Sequence, residues 1–285
     1  MKKRIGITFS IYNRIDLSIK CLESIFNNGS KNDIFVVVVD NASSDNSCNI
    51  IKEKYPKVNI IKNNENLGCS RSWNQGIKKC VDSSCEYISL TQSDIIISKG
   101  VIDNSVLFLE KNKDIKLVSP ACINVPFESG FDLSLKHLNN IAKKSIKKYG
   151  GSVNLYFIIY FFMANKDILC KYKFDENFKR ATYEDADFYD SLTYDDIVSC
   201  HSIDIGMMFH RYNATQSIAK NSDPYNNKIY FDLKWKDKKK DLIRHQNKIN
   251  NEFCKRILYP VEENNPSFFD LEKSGLFSWK RKKIS

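Results

Sequence analysis

The chain has 285 residues, 42% of them hydrophobic and 12% aromatic, enough to bury a sizeable core as one large domain or one domain with a subdomain, which excludes a disordered tail. Its 44 Lys plus Arg against 34 Asp plus Glu give a formal charge of +10, an attraction for polyanions such as nucleic acid, an anionic membrane surface or phosphorylated ligands. Zinc-finger spacing, RNP-like segments and Arg/Lys stripes interleaved with aromatics are missing, so nucleic acid is not an expected partner.

The N-terminal Met1-Lys2-Lys3-Arg4 precedes an apolar run too short for a signal peptide, and it reads as a first strand at 4–9. Further β-prone runs follow at 34–39, 58–61, 86–90 and 116–119. Between them lie helix-periodic segments, one with Leu17, Cys21, Leu22, Ile25 and Phe26 on a face, another with Trp73, Ile77, Cys80 and Val81. Strand and helix alternate as in βαβ units, which predicts a mostly parallel central sheet flanked by helices. The stretch 127–149 loosens into Lys-rich sequence ending at Gly150-Gly151, and a strongly β-prone run occupies 155–162. An acidic segment, Tyr183-Glu184-Asp185-Ala186-Asp187, then a strand-like 203–210 and a Lys-rich helical tail from Lys234 complete the chain. The expected organisation is a nucleotide-binding half at 1–120, an acceptor and catalytic half at 121–220 sharing one sheet with it, and a basic helical extension at 221–285.

Nine cysteines, odd in number and without paired spacing, fit small buried hydrophobes in a reducing, cytoplasmic compartment rather than a disulfide framework. The longest apolar stretch, 155–164, is about half of the ~20 residues a spanning helix needs, so no transmembrane anchor is expected.

Ligands of open parallel sheets bind at the carboxyl ends of the strands. Those ends are polar here: Ser10-Ile11-Tyr12-Asn13-Arg14, Asp40-Asn41-Ala42-Ser43-Ser44-Asp45, Asn63-Asn64-Glu65-Asn66-Leu67-Gly68, and Thr91-Gln92-Ser93-Asp94. Ser43, Ser44 and Asp45 suit a turn and helix cap. Asp40 ends a run of four valines, which puts its carboxylate at the rim of a buried strand, where it can accept from a base N–H. Tyr12 can stack on a base, and Arg71 shares a helical face with Asn74 and Lys78.

These segments, Asn13-Arg14, Val39-Asp40-Asn41-Ala42-Ser43-Ser44-Asp45 and Asn66-x-Gly68 with Asn74-x-Gly76, resemble family 2 glycosyltransferases of the GT-A fold in order and spacing. The resemblance continues through Asp94, Phe174-Asp175-Glu176-x-Phe178, Glu184-Asp185-x-Asp187 and His210, covering roughly 4–217. It implies a nucleotide-sugar pocket of Ser10, Tyr12, Arg14, Asp40, Asn66, Gly68, Arg71, Asn74, Gln92 and Ser93. It also implies a divalent cation, Mn²⁺ or Mg²⁺, at Asp94 with His210, and an inverting mechanism with Asp185 as base beside Glu184. Where the family usually has Asp-x-Asp, this chain has Gln92-Ser93-Asp94, so one carboxylate remains. The bland alternatives are an acidic first helical turn for Glu184 and Asp185, a loop-capping role for Asp94, and structural histidines at 201 and 210.

The expected donor is a UDP- or dTDP-sugar, and the acceptor a hydroxyl of a glycan, lipid-linked oligosaccharide or protein glycan. The cationic tail suggests peripheral contact with an anionic membrane. A competing reading is a catalytically weakened nucleotide-sugar or glycan-binding module, motivated by the reduced motif. The absence of G-x-G-x-x-G after the first strand argues against a dinucleotide-binding dehydrogenase.

Overall fold

A computed structural model describes residues 2–125, 132–151, 153–155, 157–211 and 224–256. Among the described residues nine strands build one sheet: β1 (Arg4–Ile11), β2 (Asp33–Asp40), β3 (Asn59–Lys62), β4 (Tyr87–Thr91), β5 (Ile95–Ile97), β6 (Ile115–Asn124), β7 (Val153–Asn154), β8 (Phe161–Asn165) and β9 (Val198–His210). The helices are α1 (Ile15–Phe26), α2 (Ser47–Lys54), α3 (Cys69–Asp82), α4 (Val101–Lys111), α5 (Leu135–Tyr149), α6 (Lys166–Lys171), α7 (Glu184–Tyr194), α8 (Pro224–Trp235) and α9 (Lys239–Arg256).

The strand order is β3-β2-β1-β4-β8-β6-β9-β5, with β7 on β9. As expected, β3, β2, β1 and β4 run parallel. Beyond β4 the sheet is mixed: β8 is antiparallel to both β4 and β6, β6 is parallel to β9, and β5 is antiparallel to β9. The two halves therefore share one continuous sheet.

Period-two alternation sends the strand side chains to opposite faces. Ile5, Ile7, Phe9 and Ile11 of β1 join Val36 and Val38 and the inner faces of α1 and α4. Val37, Val39, Ile88 and Leu90 face Trp73 and Ile77 of α3, with Phe174, Phe188 and Leu192 beyond. Helix α3 approaches β1 closely because Gly76 has no side chain: a Cβ there would lie 1.9 Å from Thr8 Oγ1.

Two expectations change. The β-prone run 155–162 forms strand only from Phe161, because Phe157 turns off the sheet to fill the space against Phe162, Phe188 and Tyr189. The Lys-rich stretch contains a regular helix, α5, whose Leu138, Ile141, Ala142 and Ser145 are buried.

Candidate active site

The three residues between β4 and β5 set the site's geometry. Gln92 N donates to Tyr160 O at 2.9 Å, and after Asp94 the chain crosses to pair with the end of β9, Ile95 opposite His210. Asp94 Oδ2 and His210 Nε2 are thereby 3.6 Å apart, and both side chains are buried. His210 Nδ1 lies 2.9 Å from Asn124 Oδ1, an oxygen that can only accept, so Nδ1–H donates to it and Nε2 is the ring nitrogen turned toward Asp94. A carboxylate oxygen and an imidazole nitrogen facing one another are donor types that suit a divalent cation, and Asn124 orients the ring as the partners of metal-binding histidines do. Tyr160 packs against that ring, centroids 4.1 Å apart and the planes tilted by 33°. Among the described residues no group of three or more His, Cys, Asp or Glu side chains gathers at metal-binding spacing, so protein ligands here would number two, with phosphate oxygens or water completing the shell.

At the first strand end, Asn13 and Arg14 both adopt left-handed backbone conformations, φ 59° and 56°. Asn13 Oδ1 accepts from Ser44 N at 2.8 Å and Asp45 N at 3.3 Å, while its own N–H donates to Ser43 Oγ at 2.8 Å. The loops after β1 and β2 are thus one unit: Ser43 and Ser44 serve the turn through Asn13, and Asp45 Oδ1 accepts from Ser47 N at 3.0 Å at the start of α2. Ser10 is half-buried on β1, and Tyr12 projects at the rim, 41% exposed. Asp40 is buried; Oδ1 accepts from Ser43 N at 2.9 Å and Oδ2 from Cys48 Sγ at 3.0 Å, each oxygen keeping a second lone pair. Arg14 holds Asp16 through two 2.9 Å hydrogen bonds; that pairing, aided by the field of Asp94, raises its pKa.

The segment 66–74 ties the halves together. Asn66 Oδ1 accepts from Gly68 N at 3.0 Å. Gly68 has φ 83°, and a Cβ there would lie 2.7 Å from the Arg180 backbone. Cys69 N donates to Arg180 O at 2.6 Å. Asn74 brackets Phe174, donating to its carbonyl at 2.8 Å and accepting from its N–H at 3.1 Å, and Arg71 meets Glu176 at 3.7 Å. Asn74 and Arg71 share a face as expected, and their partners are protein groups of the other half.

Glu184 and Asp185 open a helix, α7, and lie in its acidic first turn. Glu184 is 5% exposed, and Oε2 has no hydrogen-bond partner among the described residues. Burial, and then the neighbouring Asp185, pushes its pKa up to about 8. Near neutral pH Glu184 therefore tends to keep its proton beside the half-buried Asp185. Asp187 points away: it meets Lys234 Nζ at 2.8 Å and Trp235 Nε1 at 2.9 Å. Burial, and then the fields of Glu184, Asp185 and Asp94, raise the Cys69 thiol's pKa well above normal. His201 is fully buried in β9, away from this cluster, in keeping with a structural role.

Sequence reasoning missed Asn124, Tyr160, Cys69, Asn227 and the Lys234–Asp187 pair. A signal existed for Asn124, the polar residue ending an apolar strand; none existed for the others, whose partners are remote in sequence.

No helix of the described residues is long and apolar enough to cross a membrane. The chain is 29% identical over 192 residues to an uncharacterized glycosyltransferase of Methanocaldococcus jannaschii, covering 66% of this chain and 64% of that protein. It is 28% identical over 111 residues to one of Rickettsia bellii, covering 38% of this chain and 15% of that protein. This chain thus spans less than two thirds of either relative's length. Among solved structures it resembles a mannosyltransferase of Pyrobaculum calidifontis in complex with GDP-Man and Mn²⁺, with TM-score 0.55 and 13% identity, covering 92% of this chain and 78% of that one. That likeness identifies the GT-A fold. The glycosyl transferase family 2 model matches residues 7–172, more than half of the chain, which together with the fold makes this protein a family 2 glycosyltransferase.

Proposed function

We propose that the protein moves a sugar from a nucleoside-diphosphate sugar, UDP- or dTDP-linked, to a hydroxyl of a glycan, lipid-linked oligosaccharide or protein glycan, inverting the anomeric carbon. The observation that carries this reading is the buried Asp94–His210 pair, Oδ2 to Nε2 3.6 Å, with the start of α3 tied to the loop that leads into Glu184 and Asp185 by the 2.6 Å bond from Cys69 N to Arg180 O.

In this reading Tyr12 stacks on the base, Asp40 accepts from its N3–H, and Ser10, Arg14, Gln92 and Ser93 line the donor's path. Asn66, Gly68, Arg71 and Asn74 form the wall that closes this side against the other half. Asp94 and His210 would hold a divalent cation, Mn²⁺ or Mg²⁺, which when bound neutralises the departing diphosphate. Asp185 takes the proton from the acceptor hydroxyl as that oxygen attacks the face opposite the diphosphate. Glu184, whose burial favours its protonated form, can donate a hydrogen bond to a sugar hydroxyl. The Mn²⁺ and GDP-Man of the structural neighbour support a cation and a sugar nucleotide at this site.

A thermal-shift screen of UDP, dTDP, GDP, CMP and NAD with and without Mn²⁺, followed by NMR of the product's anomeric configuration, tests the proposal. A Mn²⁺-dependent shift with UDP or dTDP and an inverted product are the expected results. No shift with any nucleotide would favour a glycan-binding module, and a retained configuration would remove Asp185 as base. Peripheral membrane contact is tested separately by co-sedimentation with anionic vesicles at low salt, and failure to co-sediment would eliminate it.

A further inference from the structure

We propose that Asn227, on α8 in the C-terminal extension, is a positioning residue for the base: it fixes the loop from which Asp185 projects. The inference rests on the reading of Asp185 as base.

The loop 179–183 is held in a backbone shape it would not adopt alone. Arg180, Thr182 and Tyr183 have φ of 62°, 85° and 68°, left-handed conformations disfavoured for residues with a Cβ, and no glycine relieves them. Such a segment persists only when its surroundings over-determine it. Asn227 supplies that restraint. It is 2% exposed, and its Nδ2 donates to the carbonyls of Lys179 at 2.8 Å, Ala181 at 2.9 Å and Thr182 at 3.2 Å. Its Oδ1 accepts from Lys179 N at 2.9 Å. The one carbonyl skipped, that of Arg180, accepts from Cys69 N on the donor side at 2.6 Å. Four successive carbonyls are thus held between α8 and the start of α3. The next, Tyr183 O, accepts from Asp187 N at 2.9 Å and begins the helix bearing Glu184 and Asp185.

Helix α8 can bear this restraint because it is itself anchored. Lys234 bridges Asp175 at 2.7 Å and Asp187 at 2.8 Å, Tyr230 Oη donates to Asp175 at 2.9 Å, and the rings of Phe231 and Tyr183 lie 5.5 Å apart. A primary amide is needed at 227, since the site calls for a donor shared by three carbonyls and an acceptor for one N–H. Aspartate keeps the shape and the acceptor but turns an anionic oxygen on the three carbonyls. Asn227 enters no step of the reaction, so its loss acts through the orientation of Asp185, on kcat rather than on donor affinity.

The test compares Asn227→Asp, Asn227→Ser and Asp185→Asn with Leu109→Ala, a core truncation in α4 that serves as a stability control. Released nucleoside diphosphate is measured from the sugar nucleotide that gives the largest thermal shift, with water or added glycan as acceptor. Melting temperature and amide exchange over residues 179–187 are read in parallel. Both Asn227 variants are expected to speed exchange there and to lower kcat, on the order of 100-fold for Asp and 10-fold for Ser, with the donor KM changed about twofold at most. A kcat loss no larger than that of Leu109→Ala at equal melting temperature overturns the positioning role. Should Asn227→Asp fail to fold, Asn227→Ser carries the same comparison. If Asp185→Asn keeps transfer activity, the base reading falls whatever Asn227 does; if it loses activity while the Asn227 variants keep theirs, only the positioning role falls.

Discussion

His210 Nε2 stands 3.6 Å from Asp94 Oδ2, across the antiparallel ladder that sets Ile95 opposite His210. The pair is assembled by the β4–β5 crossover, which brings a residue from the parallel half to the end of the last strand. Asp94→Asn should abolish the Mn²⁺-dependent thermal shift given by a nucleoside diphosphate. Asn124→Ala, which frees the ring orientation, should weaken the apparent Mn²⁺ affinity about 10-fold. Titrating Mn²⁺ at fixed nucleotide checks both, and an unaltered shift in Asp94→Asn would remove this pair from the metal and diphosphate site.

Glu184 makes stability depend on pH in a definite direction. Its pKa of about 8 in the folded protein lies above the usual 4.5, so between these values the native state holds a proton that the unfolded chain releases. Stability from this group is unaffected below about pH 4.5, falls as pH rises through the window, and is fully lost above about pH 8. Glu184→Gln removes the effect. Its melting temperature should match the parent's near pH 5 and exceed it by about 5 °C at pH 9, measured without ligand. Equal melting temperatures at both pH values would contradict a buried, neutral Glu184.

The Lys234 bridge is expected to contribute more than a surface pair, because Asp187 is 2% exposed and Lys234 is mostly covered. Burial alone would lower the ammonium's pKa, but its hydrogen bonds to Asp175 and Asp187 raise it, so the charge is retained. Lys234→Met should cost about 3 kcal/mol, since it leaves a buried carboxylate without its cation. Asp187→Asn combined with Lys234→Met should cost less than the sum of the single changes in a chemical-denaturation cycle. Additive losses would mean that the two residues do not interact energetically.

Close packing of α3 on β1 gives a test of the fold alone. Gly76→Ala should destabilise by about 2 kcal/mol, because its methyl group meets Thr8 Oγ1. Thr8→Ala should recover part of that loss when combined with it. An unperturbed Gly76→Ala would show that α3 sits farther from the sheet.

The parallel half was legible because each of its strands is an apolar run closed by a polar cluster, although β1, β2 and β4 run on to Ile11, Asp40 and Thr91, inside those clusters. The site was legible as far as local pattern reached: the acidic segment opens α7, but the partners that hold Asp187, Lys234 and Trp235, are remote in sequence and were not foreseen. Pairing across the sheet was not legible. The aromatic run at 155–162 suits a strand and a packed turn equally well, and only Phe157's contacts with Phe162 and Phe188 decide the matter. Lys234 reads as one more cation in a basic tail, while its partners lie 59 and 47 residues earlier. In α5 the Lys-rich composition hid a spacing of Leu138, Ile141, Ala142 and Ser145 that was helical all along.

The most direct test of the central claim is the steady-state kinetics of Asp185→Asn alongside its nucleotide affinity. With Asp185 as base, kcat should fall by about 10³-fold while the dissociation constant for the nucleoside diphosphate stays within about twofold, because the base acts only as the acceptor is deprotonated. A variant that transfers sugar at the parental rate would contradict the account.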